Sequence, residues 1–214
     1  AHELRTPITV ISSHAQSLQR DAEVPSRSAL ELIAQETQRM AALISVMLDF
    51  ARGDSGRLRL DVKPLDPEAL LLDAYERLQF LDPLRLRLAA ASERSFGLIQ
   101  ADPERVQQCL AALVENAMQY SDGEVVLAVG ELDQAVVLHV RDLGPGISED
   151  ERVRVIERFA RGSASIGKRG SGIGLATITM LMQAMGGELL IGDAPGGGAD
   201  MQLRFKALDR LREP

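Results

Sequence analysis

Five short stretches of this 214-residue sequence carry residue types that could do chemistry, and several stop short of the motif they suggest. His2-Glu3-Leu4-Arg5-Thr6 begins like the HExxH pair of a zinc protease, in which two histidines share one helical face. Thr6 stands where the second histidine is needed, and His14 and His139 have no ligand spacing around them, so zinc is excluded. What remains is an imidazole beside a carboxylate. It is either a solvated helix residue or a neutral nucleophile whose second ring nitrogen has its proton held or removed by Glu3. Gly162 to Arg169 nearly spells a phosphate loop, but Arg169 has no hydroxyl for Mg²⁺ and no strand is expected before it. Gly170-Ser171-Gly172-Ile173-Gly174 leads straight into a helix, where glycines let backbone N–H groups approach phosphate oxygens; a tight turn explains them about as well. Asp142-Leu143-Gly144-Pro145-Gly146 ends a strand, and its carboxylate can accept from an amino group such as that of adenine, or close an Asx turn. Asn116 lies late in an apolar helix, among Leu110, Leu113, Val114 and Ala117. A buried amide without a partner is costly, so Asn116 is expected to hold a ligand such as a metal ion, or to bond the neighbouring backbone.

Two kinds of scaffold must position these groups. Residues 1 to 51 read as helix, with one apolar stripe through Leu4, Ile8, Ile11, Ala15 and Leu18 and a second through Leu30, Ile33, Thr37, Met40, Leu43 or Ile44, Met47 and Phe50. The break at residues 21 to 26, with Pro25 and Ser26, joins them as an antiparallel hairpin. A lone hairpin cannot bury both stripes. Pairing with a second copy into a four-helix bundle would; packing on the rest of the chain is the alternative. Gly53 to Gly56 reads as a linker, and short strands mixed with helices follow. Alternation predicts strands at Leu58-Leu60-Val62, Leu84-Leu86-Leu88, 124–130 and 135–141, with closing strands at 188–191 and 201–205. Asp66-Pro67-Glu68 and Asp102-Pro103-Glu104 open helices to about Phe80 and Met118, Ser148 to Glu151 starts a short one, and Gly172 to Met185 is helical. The expected architecture is a helical hairpin over residues 1–52, followed over 57–208 by an α/β sandwich with one mixed sheet.

Composition narrows the class. Hydrophobic residues at 45% and charged residues at 26% belong to a packed protein of one domain or two small ones, not to a disordered tail or a disulfide scaffold. The single Cys109 forms no internal disulfide. A net charge of −7 and 3% aromatics argue against nucleic-acid binding by a positive field or by base stacking. No stretch reads as a membrane span or signal peptide. The opening AHELRTP looks like the middle of an element, so the chain is expected to be a fragment of something longer, cytoplasmic itself and tied to a membrane only through upstream segments, if at all.

Each of these signals is modest singly, and their order along the chain decides. HELRTP, LVENAMQYS, DLGPGI, ERFARG and GSGIGLA occur in sequence over nearly the whole length, and this series resembles the sensor histidine kinases of two-component systems. The resemblance implies a dimeric phosphoacceptor hairpin joined to a GHKL-type (Bergerat) ATP-binding domain. It implies that ATP and Mg²⁺ are cofactors, that a second copy and a response-regulator receiver domain are partners, and that the phosphoryl group passes from His2 to an aspartate of that regulator. His2 corresponds to the acceptor of the γ-phosphate, Glu3 to the acid/base beside it, and Thr6 to the position that aligns water for dephosphorylating the regulator. Asn116 corresponds to the Mg²⁺ ligand, Tyr120 to the aromatic position beyond it, and Asp142 to the adenine-reading carboxylate, with Gly144 and Gly146 shaping its turn. Phe159 corresponds to the lid-anchoring phenylalanine; Arg158, Arg161 and Lys168 are candidates for phosphate contact; Gly170, Gly172 and Gly174 match the second glycine box.

Two positions depart from the family pattern. Ala112 stands where a second Asn is usual, and Gln119 where Lys or Arg is favoured. A metal-shell ligand and a phosphate-neutralising charge are absent, which points to a working but slow kinase; a charge-assisted hydrogen bond is worth ~1.5–3 kcal/mol. Two other readings stay open: a nucleotide-binding dimeric signalling module that transfers no phosphate, and an ATPase resembling gyrase or the Hsp90 chaperones. The latter needs a carboxylate four residues before the Asn, where Ala112 stands.

Overall fold

The computed structural model describes residues 8–11, 30, 33, 34, 37, 40, 44, 58–90, 96–160, 162–165 and 172–208. The chain divides into two units, Ala1–Leu58 and Arg59–Pro214. In the first unit every described residue from 8 to 44 is helical. Three members of the expected stripes, Ile8, Leu30 and Ile44, are 48, 50 and 46% exposed. The break at residues 21–26, and with it the hairpin turn, lies outside the described residues.

In the second unit, strands β1 (Lys63–Leu65), β2 (Leu86–Leu88), β3 (Ile99–Ala101), β4 (Val125–Leu132), β5 (Ala135–Arg141), β6 (Glu188–Asp193) and β7 (Ala199–Lys206) alternate with helices α1 (Pro67–Leu78), α2 (Pro103–Tyr120), α3 (Glu149–Val155) and α4 (Gly174–Ala184). Five strands form one sheet in the order β2-β4-β5-β7-β6. β2 runs parallel to β4 and the other pairs are antiparallel, so the sheet is mixed. Asp133 and Gln134, both at positive φ, close the tight β4–β5 hairpin.

Two strand expectations are corrected. The alternation at Leu58, Leu60 and Val62 does not make a strand: the Asp61 N–H is taken by the Asp102 carboxylate at 2.8 Å, and Val62 is exposed. The strand begins at Lys63 and pairs antiparallel with β3, a segment too short to show a period. This second, two-stranded sheet stands beside the expected single one.

Helices α1, α2 and α4 pack against the large sheet. α1 packs on α2, β2 and β4; α2 packs on α4 and β5; α4 packs on β6. Leu71, Val106, Leu110, Leu113, Ile178, Leu181 and Met182 meet Leu127, Leu138, Leu203 and Phe205 in a core that is almost wholly dry. Each such side chain contributes ~1.5–3 kcal/mol by leaving water. Cys109 is part of this core, and burial pushes its thiol up to about 12, against the pull of Arg105, so it stays a neutral packing group.

Both long helices start on the expected device. Asp66 Oδ1 accepts from the N–H groups of Glu68 and Ala69 at 2.8 and 3.3 Å, and Asp102 Oδ1 from those of Glu104 and Arg105 at 3.0 and 3.3 Å. Pro67 and Pro103 occupy the first turn, where no N–H is needed. α2 runs to Tyr120, two residues farther than Met118, and this end carries a residue of the site below.

Candidate functional site

A cavity of about 250 Å³ opens where the C-terminal end of β5, the last turns of α2, the start of α4 and the segment after α3 converge. Asn116 and Tyr120, one helical turn apart on α2, share the face that lines it. The Asn116 side chain is half-buried and has no hydrogen-bond partner among the described residues. The alternative of a bond to neighbouring backbone is therefore not what this amide does.

Asp142 follows the last residue of β5 and is 6% exposed. Its Oδ1 accepts from the Gly144 N–H at 2.7 Å and, at 3.4 Å, from that of Ala199. The Asx turn is thus present, and it orients the carboxylate without consuming it: Oδ2 has no partner among the described residues. Gly144 sits where a Cβ would lie 2.8 Å from both Asp142 Oδ1 and the Tyr120 carbonyl, so the turn and the end of α2 touch through backbone. Gly146, at φ +73°, lines the cavity beyond it.

Gly172 and Gly174 line the opposite wall. Gly172 has φ +66°, and a Cβ there would lie 2.6 Å from the Ala160 carbonyl; its own carbonyl accepts from the Phe159 N–H at 2.9 Å. Only glycine serves both demands. Gly174 begins α4 and, with Leu175, lines the cavity, so the positive end of this helix borders it.

Phe159 itself is at φ +66° and 59% exposed, and neither it nor the exposed Arg158 lines the cavity. His2, Glu3, Thr6, Arg161, Lys168 and Gly170 lie outside the described residues. Of the two departures, Gln119 lines the cavity and Ala112 does not.

Glu151 on α3 lines the cavity, although its sequence pattern marks only a helix start. Its carboxylate accepts from the Ser163 N–H at 2.8 Å, the Ser163 hydroxyl at 2.9 Å and the Ser148 hydroxyl at 3.0 Å. The Ser163 N–H first, then the two hydroxyls and Arg154, hold it below the usual carboxylate range. The spacing Ser148-x-x-Glu151 carries a capping signature, yet Ser148 makes no side-chain cap bond here. The sequence signal for Glu151 was present but pointed to a different partner.

The donor set suits a nucleotide. Octahedral Mg²⁺ keeps several waters and takes only one or two protein oxygens besides substrate phosphates. The partnerless Asn116 amide fits that role, and no cluster of three or more His, Cys, Asp or Glu is found among the described residues. A second, more open groove of about 820 Å³ lies at the far ends of β5 and β7. Its Arg204 and Glu188 are paired with each other, and it holds none of the candidate residues.

Residues 101–209, half of the chain, match the family of histidine kinase-, DNA gyrase B- and HSP90-like ATPases, and residues 1–56 match the His Kinase A (phospho-acceptor) domain. The chain is 31% identical over 96% of its length to the signal transduction histidine-protein kinase AfsQ2 of Streptomyces coelicolor, covering 40% of it. It is 33% identical over 92% of its length to the probable sensor histidine kinase TcrY of Mycobacterium tuberculosis, covering 42%. The chain thus spans less than half the length of these curated relatives. Among solved structures, the histidine kinase AdeS of Acinetobacter baumannii shares the fold at a TM-score of 0.74 and 21% identity, over 98% of this chain and 99% of that one. Full-length ShkA, solved in complex with AMPPNP, matches at 0.71 and 28% identity, over 97% of this chain and 45% of that one.

Proposed function

The chain belongs to the histidine kinase-, DNA gyrase B- and HSP90-like ATPases, within them to the sensor histidine kinases of two-component systems, and on that premise we propose that it binds Mg·ATP in the cavity at Asp142 and Asn116 and phosphorylates His2. The observation that carries this reading is the convergence of an unspent carboxylate oxygen on Asp142, a partnerless amide on Asn116 and the N-terminus of α4 in one cavity. These are an acceptor for an exocyclic amino group, a ligand for a phosphate-bound cation and a cradle for phosphate.

The chemistry is in-line phosphoryl transfer, in which the protein chiefly positions reactants and neutralises charge. A neutral His2 nitrogen attacks the γ-phosphorus, the bond from that phosphorus to the β–γ bridging oxygen breaks, and ADP leaves with the electron pair. Glu3 receives the proton of the second ring nitrogen. The phosphoryl group then passes to an aspartate of a response regulator, and Thr6 would align the water that hydrolyses that aspartyl phosphate. Asn116 would hold Mg²⁺ from the protein side, and the bound ion would supply charge neutralisation for the phosphates. By resemblance to the family, Arg161, Lys168 and Gly170 serve the phosphates together with Gly172 and Gly174, which line the cavity, and Phe159 anchors the lid from outside that lining.

The active species is a homodimer through the helical hairpin. Ile8, Leu30 and Ile44 leave about half their surface open in the single chain, and a second copy would cover such a stripe. No described helix is long and apolar enough to cross a membrane. Gln119, lining the cavity where a cation is favoured, supports slow turnover. Incubation with γ-labelled ATP and Mg²⁺ tests the reading: acid-labile, base-stable label appears on the protein and vanishes in His2→Gln. Label that persists in His2→Gln, or no label on the wild-type chain, overturns it.

A further inference from the structure

Ala160, Gly162 and Ala164 line one wall of the nucleotide cavity. Ser163, between the last two, is turned to α3 instead, and both its N–H and its hydroxyl donate to Glu151. We propose that Glu151 is a positioning residue for nucleotide affinity, fastening this wall to α3 through Ser163. The inference rests on the ATP-binding reading of the cavity and adds to it a residue that acts without being part of the reacting set.

Further contacts make the fastening effective. α3 is itself pinned, since the Arg152 guanidinium donates to Asp193 of β6 at 2.5 Å and to the Ile147 carbonyl at 3.1 Å. The Ser148 hydroxyl and Arg154 approach the same carboxylate at 3.0 and 3.1 Å, so its rotamer is held from both sides. Gly162 lies against buried Val155, where a Cβ would come within 3.2 Å of Cγ1, so the wall has an apolar seat beside its polar one. The tie joins residues twelve apart in sequence, and it is made with backbone as well as side chain. Because a carboxylate accepts all three hydrogen bonds at once, removing it releases the Ser163 N–H, the one donor that no side-chain change at 163 can replace.

A wall that is seated only part of the time reduces apparent affinity by the seated fraction. The test is binding of ADP with Mg²⁺ to the 214-residue chain, measured by calorimetry beside thermal unfolding of the nucleotide-free protein. In Glu151→Ala the dissociation constant rises roughly tenfold while the melting temperature stays within about 2 °C. Glu151→Gln, which keeps one carbonyl acceptor for the Ser163 N–H, recovers to within about threefold of the wild type. An unchanged constant in Glu151→Ala overturns the proposal, as does a loss accompanied by an equal fall in melting temperature, which would mark Glu151 as merely structural. A wild-type chain that binds no nucleotide overturns the ATP reading instead.

Discussion

Helices α2 and α3 start on sequences of the same kind, an acceptor side chain followed by acidic residues, and use them in opposite ways. Asp102 spends Oδ1 on the N–H groups of its own helix and Oδ2 on Asp61. In α3 the hydroxyl of the capping residue, Ser148, bonds no backbone; it donates to Glu151, whose carboxylate reaches out to Ser163. One start stabilises the element it begins, and the other places an element beyond it. The difference follows from what each helix has to rest on. α2 has 18 residues and buries Val106, Cys109, Leu110, Leu113, Val114 and Ala117, so its caps add to a packed core. α3 has seven residues and buries Val155 alone, so it is held by polar ties and can pass them on.

The sharpest way to break this comparison is to damage α2 without touching the cavity. Leu113→Ala removes a fully buried side chain that does not line the site. It is expected to cost ~2–5 kcal/mol of unfolding free energy. Urea titration measures that loss, and the ADP affinity of the folded fraction stays within about twofold of the wild type. An affinity that collapsed with stability would show that α2 places ligand groups by its packing as well as carrying them.

Asp142→Asn tests the site side of the contrast. The carbamoyl oxygen can still accept from the Gly144 N–H, so the turn survives, but a donor replaces the free Oδ2. A purine amino group then meets a donor, and ADP affinity falls by about 100-fold, ~2.7 kcal/mol. The melting temperature barely moves. Equal binding of ADP and GDP by the wild type would count against Asp142 as the adenine reader.

Asp102→Ala is the next smaller effect. It strips two N–H groups of α2 of their acceptor and leaves the Asp61 N–H without its partner, for a loss of ~1–2 kcal/mol. Nucleotide affinity should be unaffected, in contrast to Glu151→Ala, which moves affinity and spares stability. If both variants changed both quantities, the two helix starts would not differ in role.

The same contrast explains what could be read before the fold was known. Asp66, Asp102, Asn116 and Asp142 each declare themselves locally: a carboxylate before proline at a helix start, an amide inside an apolar helix, a carboxylate where a strand meets glycines. The cavity does gather Asn116, Tyr120, Asp142, Gly146, Gly172 and Gly174. Glu151 was illegible in its role because Ser163 is brought to it by the turn after α3, and no periodicity encodes that pairing. β3 escaped because three residues show no period, and Leu58 to Val62 misled because alternation without a partner strand has no ladder to join. Sequence pattern reports what an element does for itself more faithfully than what it does for its neighbours.

Asp200 extends the comparison to a carboxylate held by side chains rather than backbone, and its effect should be the smallest. It lies on β7 opposite Arg141 of β5, 4% exposed, with His139 Nδ1 at 3.0 Å from both oxygens, Arg141 Nε at 3.3 Å and Gln202 Nε2 at 3.0 Å. Burial alone would raise its carboxyl, but the hydrogen bond and charge of His139, then Arg141 and Gln202, more than offset this and leave it below the ordinary value. A carboxyl depressed on folding contributes stability that is present above the ordinary value of ~3.9 and lost as pH falls through its folded value. Asp200→Asn removes that contribution while keeping an acceptor for Gln202. The stability gap between wild type and variant, measured by urea titration from pH 6 down to about pH 2.5, should therefore be widest at the top of the range and close in acid. A gap that stayed constant would mean that packing, and not the charge of Asp200, ties β5 to β7 at this point.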